Sequence, residues 1–396
     1  MQKSNALLLT FDFPPALGGI SILMAKITIC LKEEGIIVLT TKASEAEEQE
    51  FDSKADFPVL RRNFTFDVAN WRLPLQLIKT FSCTLKIYSF HRFKILLVGQ
   101  VFPFGLVGLI FKVFFRVPFI TFSHGSDSLF SKNKIRDFLV GAIFRSADRV
   151  ICFSDYTRRN LLKWNVKEDN IKKVSIGVDS TIFRPDADIS EVVRQFNLQR
   201  RKVLLTVNRL SERKGIDSVI KSLADLTKEE PSIIYLVVGE GKDEHRLKDL
   251  VRNLNLDNYV KFVGAVAHEK LPQFYAACDI FINAVREIDR QGRGETEGFG
   301  LVNIEASACA KPVIAGATGG VVDAVLDNKT GLLINPTSSD ELKQAILRLL
   351  RDNEFARKLG ETGRQMVLEK FNLKNMKKDL TKILESLDYG LNSRNN

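Results

Sequence analysis

Two glutamates, Glu297 and Glu305, are the first residues whose type and spacing indicate chemistry. Gly298 and Gly300 lie between them and permit backbone conformations that other residues avoid. Residues 301–310 favour a helix, so we predict that a helix begins near Gly300 and that its free N–H groups form an anion site. Carboxylates beside such a site fit a ligand that carries hydroxyl groups as well as phosphate, because carboxylates accept hydrogen bonds from sugars.

Two cations lie in a loop that the sequence places earlier in the same half of the chain. Arg209 and Lys214 follow the predicted strand 202–207 and precede a helix that starts at about residue 216. Loops at the carboxyl ends of strands are where ligands bind in doubly wound sheets. A guanidinium and an ammonium at this position can hold a diphosphate. For any single loop lysine, a solvated cation is the simpler interpretation.

The N-terminal half offers a glycine pair and a histidine at comparable positions. Gly18 and Gly19 separate a predicted strand at residues 7–10 from a helix, without the G-x-G-x-x-G pattern of dinucleotide-binding loops. Another predicted strand, 119–122, runs into a short segment that contains His124 and Asp127. A glycine pair alone indicates only a turn, and a lone histidine is more often structural. Their place after a strand is what makes them candidates.

The length and the order of elements predict two domains. A chain of 396 residues exceeds one ordinary core, and strands alternate with helices through both halves. We predict an N-terminal domain over 1–185, a C-terminal domain over 186–370 and a final helical segment over 371–396, with a linker at 186–199. Residues 43–57 are acidic and are predicted to form a loop. The charged connection 284–296 is predicted to be a lid over the ligand.

Charge is concentrated in one quarter of the chain. The net charge is +10, and residues 51–150 hold 15 lysines and arginines against 6 aspartates and glutamates. Segment 68–94 mixes aromatic and basic residues, which fits either a helix on an anionic membrane surface or a helix packed on the sheet. The apolar run 95–122 is interrupted by Pro103, Lys112, Arg116 and Pro118. A strand at 95–98, a helix at 104–115 and a strand at 119–122 therefore fit it better than a membrane span. No nucleic-acid motif accompanies the charge.

Cysteine usage and the N-terminal sequence indicate the compartment. Five scattered cysteines without a C-x-x-C pair argue against a disulfide framework or a zinc site and favour a reducing environment. No signal peptide is apparent. We expect a cytoplasmic protein, either free or at the inner face of the membrane, that needs no metal or other cofactor.

The chain contains three motifs: E-x7-E at Glu297 and Glu305, R-x4-K-G at Arg209 and Lys214, and H-G-x-D beginning at His124. Together they resemble the retaining nucleotide-sugar glycosyltransferases of family 4. The resemblance extends over nearly the whole chain. It implies the α/β fold called GT-B, in which two doubly wound Rossmann-like domains face each other across a cleft. The N-terminal domain then binds the acceptor, and the C-terminal domain binds the nucleotide sugar. The resemblance also implies that the final helix, within 371–396, crosses back to the N-terminal domain.

The resemblance also implies roles for individual residues. Its catalytic residues here are His124, Arg209, Lys214 and Glu297. Asp127 is implied as an acceptor contact. The implied donor-binding residues are Gly18, Gly19, Arg209, Lys214, Glu297, Phe299, Gly300, Leu301, Val302 and Glu305.

The implied reaction is transfer of a hexose from a nucleoside diphosphate sugar to a glycan or lipid-linked acceptor, with retention of configuration, in cell-surface polysaccharide or glycolipid synthesis. The long connection 284–296 is similar to that of the phosphatidylinositol mannosyltransferases, which use GDP-mannose; UDP and GDP both remain open. Departures from the family pattern occur at Ser175 and Ile176, and at Val322 and Asp323. A non-catalytic sugar-nucleotide or polyanion binding protein on the same fold is the leading alternative. A nicotinamide-dependent dehydrogenase lacks its fingerprint loop, and a sugar phosphorylase lacks a supporting motif.

Overall fold

The structure, a computed structural model, describes residues 5–16, 18–64, 73–290 and 293–392. The chain divides into two compact units, one running up to Gly177 and resuming at Leu373, the other spanning Val178–Asn372. This division lies earlier than the predicted one at residue 185. The reason is that Val178 pairs with Asn372, and Phe183 packs against Tyr275, both within the second unit.

The first unit contains a seven-stranded, wholly parallel sheet. Its strand order is β3-β2-β1-β4-β5-β6-β7, which is a doubly wound arrangement. Three central strands, at residues 6–9, 95–98 and 119–123, are short and buried throughout, as expected of strands covered by helices on both faces. The first two consist almost entirely of leucine, isoleucine and valine. The strands are β1 (Ala6–Leu9), β2 (Ile36–Thr41), β3 (Val59–Arg62), β4 (Ile95–Val98), β5 (Phe119–Ser123), β6 (Arg149–Cys152) and β7 (Ile171–Lys173).

The helices of the first unit connect these strands. They are α1 (Gly19–Leu31), α2 (Glu45–Lys54), α3 (Leu73–His91), α4 (Phe104–Phe115), α5 (Lys134–Ser146) and α6 (Asp155–Lys163). Helix α2 lies where a loop was predicted for residues 43–57, so that prediction is wrong. Residues 68–72 of the predicted amphipathic segment lie outside the described residues, and α3 covers most of the remainder. None of the described helices is long and apolar enough to cross a membrane.

The second unit repeats the design with a six-stranded parallel sheet, ordered β10-β9-β8-β11-β14-β15, and a small antiparallel hairpin of β12 and β13. The strands are β8 (Lys202–Val207), β9 (Ile233–Val238), β10 (Val260–Gly264), β11 (Ile280–Asn283), β12 (Ile288–Arg290), β13 (Arg293–Glu295), β14 (Val313–Gly316) and β15 (Gly331–Ile334). The helices are α7 (Ser190–Gln195), α8 (Ile216–Glu229), α9 (Glu244–Asn253), α10 (Leu271–Ala277), α11 (Leu301–Ala308), α12 (Val321–Ala324), α13 (Ser339–Arg351) and α14 (Asn353–Glu369).

The two segments predicted as a linker and as a lid contain short regular elements. The predicted linker 186–199 contains the short helix α7. The predicted lid 284–296 contains the β12–β13 hairpin, whose tip at residues 291–292 lies outside the described residues. The last helix, α15 (Leu373–Asn392), belongs to the first unit and packs against α1.

The sheet of the second unit determines where its ligand-binding loops lie. Strands β8, β11 and β14 are neighbours and run parallel, so the loops that follow them leave the same edge. The predicted cation loop follows β8. The segment with both glutamates follows β11 through the hairpin, and α11 leads on to β14. The topology therefore collects the predicted donor residues at one edge of the second sheet.

Candidate functional site

The loop after β8 makes a tight turn that ends in the two basic residues Arg213 and Lys214. Residues Glu212–Lys214 form a single 3-10 turn, and Gly215 follows with φ of 67°. A Cβ on Gly215 would lie 2.0 Å from the carbonyl oxygen of Ala284, so only glycine allows the loop to approach the end of β11 this closely. This close approach brings the cation loop beside the segment that carries Glu297.

Glu297 is the centre of the charged site. Its Oε2 accepts hydrogen bonds from Lys214 Nζ at 2.5 Å and from Arg213 Nη1 at 2.9 Å. The side chains of Glu297 and Lys214 are 17% and 12% exposed. Burial on its own would raise the pKa of Glu297, but the charges and hydrogen bonds of Lys214 and Arg213 outweigh it and lower the pKa to about 2. Glu297 is therefore ionised at neutral pH.

Burial and neighbouring charges also shift the pKa of the lysine in this site. Burial lowers the pKa of Lys214 below its usual value; Arg213 and Arg209 lower it further, and Glu297 opposes them. Arg209 is exposed and lies close enough for its charge to act on Lys214. The site thus holds more positive than negative charge, which suits an anionic ligand.

Backbone contacts hold Glu297 and the cation loop in place. The carbonyl oxygen of Glu297 accepts from the N–H of Gly320, in the loop after β14, at 2.8 Å. The N–H of Arg286 donates to the carbonyl of Arg213 at 2.8 Å, and its guanidinium contacts Asp217 at 3.1 Å. The segment after β11 is therefore fixed to the loops on both sides.

Helix α11 begins beside these charges. Gly300 caps it in the left-handed conformation, with φ of 86°, and Leu301 and Val302 in its first turn are half-buried. The ring of Phe299 is 4% exposed and packs edge-on against Phe371 at 5.3 Å between ring centroids. The Phe299 side chain therefore anchors the loop, which leaves main-chain groups as the means by which this residue can contact a ligand.

Glu305 lies deeper in the second unit. It is 2% exposed, and its Oε2 accepts from the hydroxyl of Tyr275 at 3.0 Å. Burial and the neighbouring Glu305 raise the pKa of Tyr275 well above its usual value, so the phenol stays protonated and donates. Tyr275 thus fixes the orientation of the carboxylate.

The first unit places its candidates after the carboxyl ends of β1 and β5. The Nε2 atom of His124 lies 2.7 Å from the carbonyl oxygen of Gly99, which can only accept, so Nε2 donates this hydrogen bond. The Asp127 carboxylate accepts from the N–H groups of His124 and Gly125 at 2.9 and 3.0 Å. Asp127 therefore stabilises the turn that presents His124. Gly18 caps α1, and a Cβ on Gly19 would meet nothing within 4 Å.

Comparison with known proteins identifies the family. The family model described as Glycosyltransferase Family 4 matches residues 17–181, and the model described as Glycosyl transferases group 1 matches residues 188–366. A relative in Mycolicibacterium smegmatis, GDP-mannose-dependent alpha-(1-6)-phosphatidylinositol monomannoside mannosyltransferase, is 30% identical over 384 residues, covering 96% of this chain and 97% of the relative. The chain belongs to glycosyltransferase family 4.

Solved structures place the glycosyltransferase in a known architecture. HepE of Anabaena in complex with UDP-glucose matches with a TM-score of 0.81 at 22% identity, covering 96% of this chain and 99% of that chain. Sucrose-phosphate synthase from Thermosynechococcus elongatus matches with a TM-score of 0.81 at 24% identity, covering 98% of this chain and all of the other. The predicted GT-B fold, built from two doubly wound domains, is confirmed.

Within the second unit of the glycosyltransferase, the structure brings together Lys214 and Glu297 at the beginning of α11. Sequence reasoning did not identify Arg213. This residue lies inside the R-x4-K spacing, but the spacing alone does not show which cation contacts Glu297. It also did not identify Tyr275, which belongs to no motif that the sequence shows. His124, Asp127, Gly18 and Gly19 belong to the first unit.

Proposed function

We propose that this glycosyltransferase uses a nucleoside diphosphate sugar and transfers its hexose, with retention of configuration, to a hydroxyl of a glycan or lipid-linked acceptor. The observation that carries the proposal is the arrangement of Lys214 and Arg213 on Glu297 beside the N-terminus of α11. Cations and free N–H groups fit a diphosphate, and a carboxylate fits sugar hydroxyls.

The proposed roles follow from the chemistry of each group. Lys214, with Arg209 and the first N–H groups of α11, stabilises the charge that develops on the departing diphosphate. Glu297 orients the sugar, and Glu305, held by Tyr275, accepts from ribose hydroxyls. That His124, Gly18 and Gly19 contact the donor and Asp127 the acceptor stays a prediction.

We propose same-face substitution for the transfer itself. The bond between the anomeric carbon and the diphosphate oxygen breaks, and the acceptor oxygen bonds to that carbon from the same side. The acceptor proton passes to an oxygen of the leaving phosphate. No metal ion takes part in this scheme, because the protein's cations supply the positive charge.

The comparisons suggest two donors. The mycobacterial relative is named for GDP-mannose and a phosphatidylinositol mannoside, whereas the Anabaena structure holds UDP-glucose. Because the relative matches nearly the full chain at higher identity, we propose synthesis of a cell-surface glycolipid or polysaccharide, with GDP-mannose tested first.

A thermal-shift panel of GDP, UDP, ADP and NAD tests the donor assignment. A ligand at a hundred times its Kd stabilises a protein by about 2.7 kcal/mol, which gives a clear rise in melting temperature. We expect a shift with one nucleoside diphosphate that is lost in Lys214→Ala. Lys228→Ala is the matched control, since it removes an exposed lysine elsewhere in the second unit. If none of the four ligands shifts the transition, the donor assignment fails.

We also propose that the cytoplasmic enzyme contacts the inner, anionic face of a membrane through segment 68–94 and the neighbouring helix α4. Residues 68–126 contain seven lysines and arginines and no aspartate or glutamate. On α4, Val113 and Phe114 are 63% and 76% exposed, while the helix's one cation, Lys112, is paired with Asp148. Helix α3 packs beside α4 and exposes Phe90. Exposed apolar groups beside a segment rich in lysine and arginine are typical of a surface that binds anionic lipid.

Co-sedimentation with vesicles tests this surface. We expect binding to vesicles that contain phosphatidylglycerol, weaker binding to pure phosphatidylcholine, and a clear loss in Phe114→Ser. Leu326→Ser is the control, because it removes an exposed apolar side chain from the other unit. Equal sedimentation with and without anionic vesicles would contradict the proposal.

A further inference from the structure

Three buried asparagines lie between the two halves of the proposed diphosphate site. Asn208 directly precedes Arg209 at the end of β8, Asn283 is the last residue of β11, and Asn303 lies in the first turn of α11. Asn208 is 8% exposed, and the other two are fully buried. One asparagine therefore belongs to the cation loop, one to the sheet and one to the helix N-terminus.

Their side chains form a continuous row. The Nδ2 atom of Asn208 donates to Oδ1 of Asn283 at 3.0 Å, and Nδ2 of Asn283 donates to Oδ1 of Asn303 at 3.0 Å. Asn283, in the middle, accepts one hydrogen bond with its amide oxygen and donates the other with its amide nitrogen. Alanine at this position makes neither bond.

The row begins where main-chain pairing between β8 and β11 stops. The paired residues of these strands are Leu204 with Ile280 and Leu205 with Phe281. Asn208 and Asn283 lie beyond the last pair, at the edge where the ligand loops leave the sheet. The amides therefore connect the loop of β8 to β11 at a level where the strand ladder does not.

The amide nitrogen of Asn303 indicates that the bond from Asn283 is the main interaction of this side chain. This atom is buried and has no hydrogen-bond partner among the described residues. A Cβ on Gly300 would lie 2.6 Å from it, so it packs directly against the residue that caps α11. An apolar side chain in place of Asn303 would bury no unsatisfied N–H group, but it could not accept the hydrogen bond from Asn283.

We propose that Asn208, Asn283 and Asn303 are positioning residues that set the distance between the cation loop and the N-terminus of α11, and so the fit of the donor's diphosphate. This inference rests on the proposed function, because it needs a diphosphate to bind between those two groups. If the cation loop and the N-terminus of α11 are misplaced relative to each other, the site loses affinity for the phosphates while its contacts to the nucleoside remain.

The test compares the affinity for a nucleoside diphosphate with that for its nucleoside. The Kd of both is measured by titration calorimetry for the wild type, Asn283→Ala and Tyr235→Phe, using the base that the wild type binds. Tyr235→Phe is a matched control, since it removes a buried hydrogen bond of 2.7 Å to Thr206 in the same sheet and leaves the three amides unchanged. We expect the preference for the diphosphate to fall roughly tenfold or more in Asn283→Ala and to stay unchanged in Tyr235→Phe.

Several results separate the possible failures. A wild type that binds diphosphate and nucleoside equally overturns the proposed function and the positioning role with it. A wild type that prefers the diphosphate, with the same preference in Asn283→Ala, overturns the positioning role alone. If Asn283→Ala does not fold, Asn208→Ala gives the same comparison, because it removes one bond at the more exposed end of the row.

Discussion

Replacing Glu297 by glutamine should make the stability of the protein less dependent on pH. The Lys214 and Arg213 charges lower the pKa of Glu297 from 4.5 to about 2 despite its burial. At about 1.4 kcal/mol for each pH unit between the two values, the ionised carboxylate contributes about 3 kcal/mol at pH 7. A carboxyl with a lowered pKa stabilises the fold above its unfolded pKa, and this contribution is lost as the pH falls. Only about 1 kcal/mol remains at pH 3.

Urea unfolding of the wild type and Glu297→Gln at several pH values between 7 and 3 measures this contribution. The difference in unfolding free energy between the two proteins should shrink by about 2 kcal/mol over that range. Glu361→Gln is the control, because Glu361 forms an exposed pair with Arg357 and should give a small, nearly constant difference. If the difference for Glu297→Gln is the same at pH 7 and pH 3, Glu297 does not have a lowered pKa.

Three further outcomes are expected. In steady-state kinetics, Glu305→Ala should raise the donor KM or abolish transfer. Tyr275→Phe should have a weaker effect in the same direction. Normal kinetics in Glu305→Ala would exclude the ribose contact. Gly300→Ala should lower the unfolding free energy by roughly 1–3 kcal/mol, because φ is 86° and the added Cβ would meet Asn303; Gly19→Ala, in open space, is the control in the same thermal unfolding assay. Dialysis against EDTA should leave transfer intact, whereas activity restored only by added metal would refute a metal-free mechanism.

Elements whose boundaries are marked by local chemistry could be predicted from the sequence. Strand β4 and helix α4 have the predicted bounds, because apolar runs there are delimited by Pro103 and Pro118. Helix α2 was missed because its acidic composition was taken to indicate a loop, although Ser44 and Glu47 have the spacing of a capping box and glutamate favours helices. Contacts with distant residues, which no local pattern shows, also stabilise it. The ring of Phe51 packs on Phe13, and Asp52 accepts two hydrogen bonds from Arg61.

The site shows the same limit at the level of single residues. Spacing identified a pair of cations, but Arg213 rather than Arg209 contacts Glu297, because a 3-10 turn places consecutive residues 213 and 214 on one carboxylate. Phe299 has the position of a donor-loop residue, yet its ring packs on Phe371. That contact joins segments far apart in the chain, and no local pattern in the sequence reveals it.

The same carboxylate that neutralises the cations has to release them when a diphosphate binds. In the structure, the Glu297 carboxylate accepts hydrogen bonds from Lys214 and Arg213. A phosphate that binds these two cations must therefore displace the carboxylate. The displaced carboxylate is then available to sugar hydroxyls. If Glu297 has both roles, Glu297→Gln should bind the free nucleoside diphosphate roughly tenfold more tightly, since it removes a competing charged hydrogen bond, and should transfer sugar more slowly. Calorimetry and turnover measured on the same preparation check both effects. Weaker diphosphate binding in this variant would show that Glu297 organises the cations for the ligand instead of competing with it.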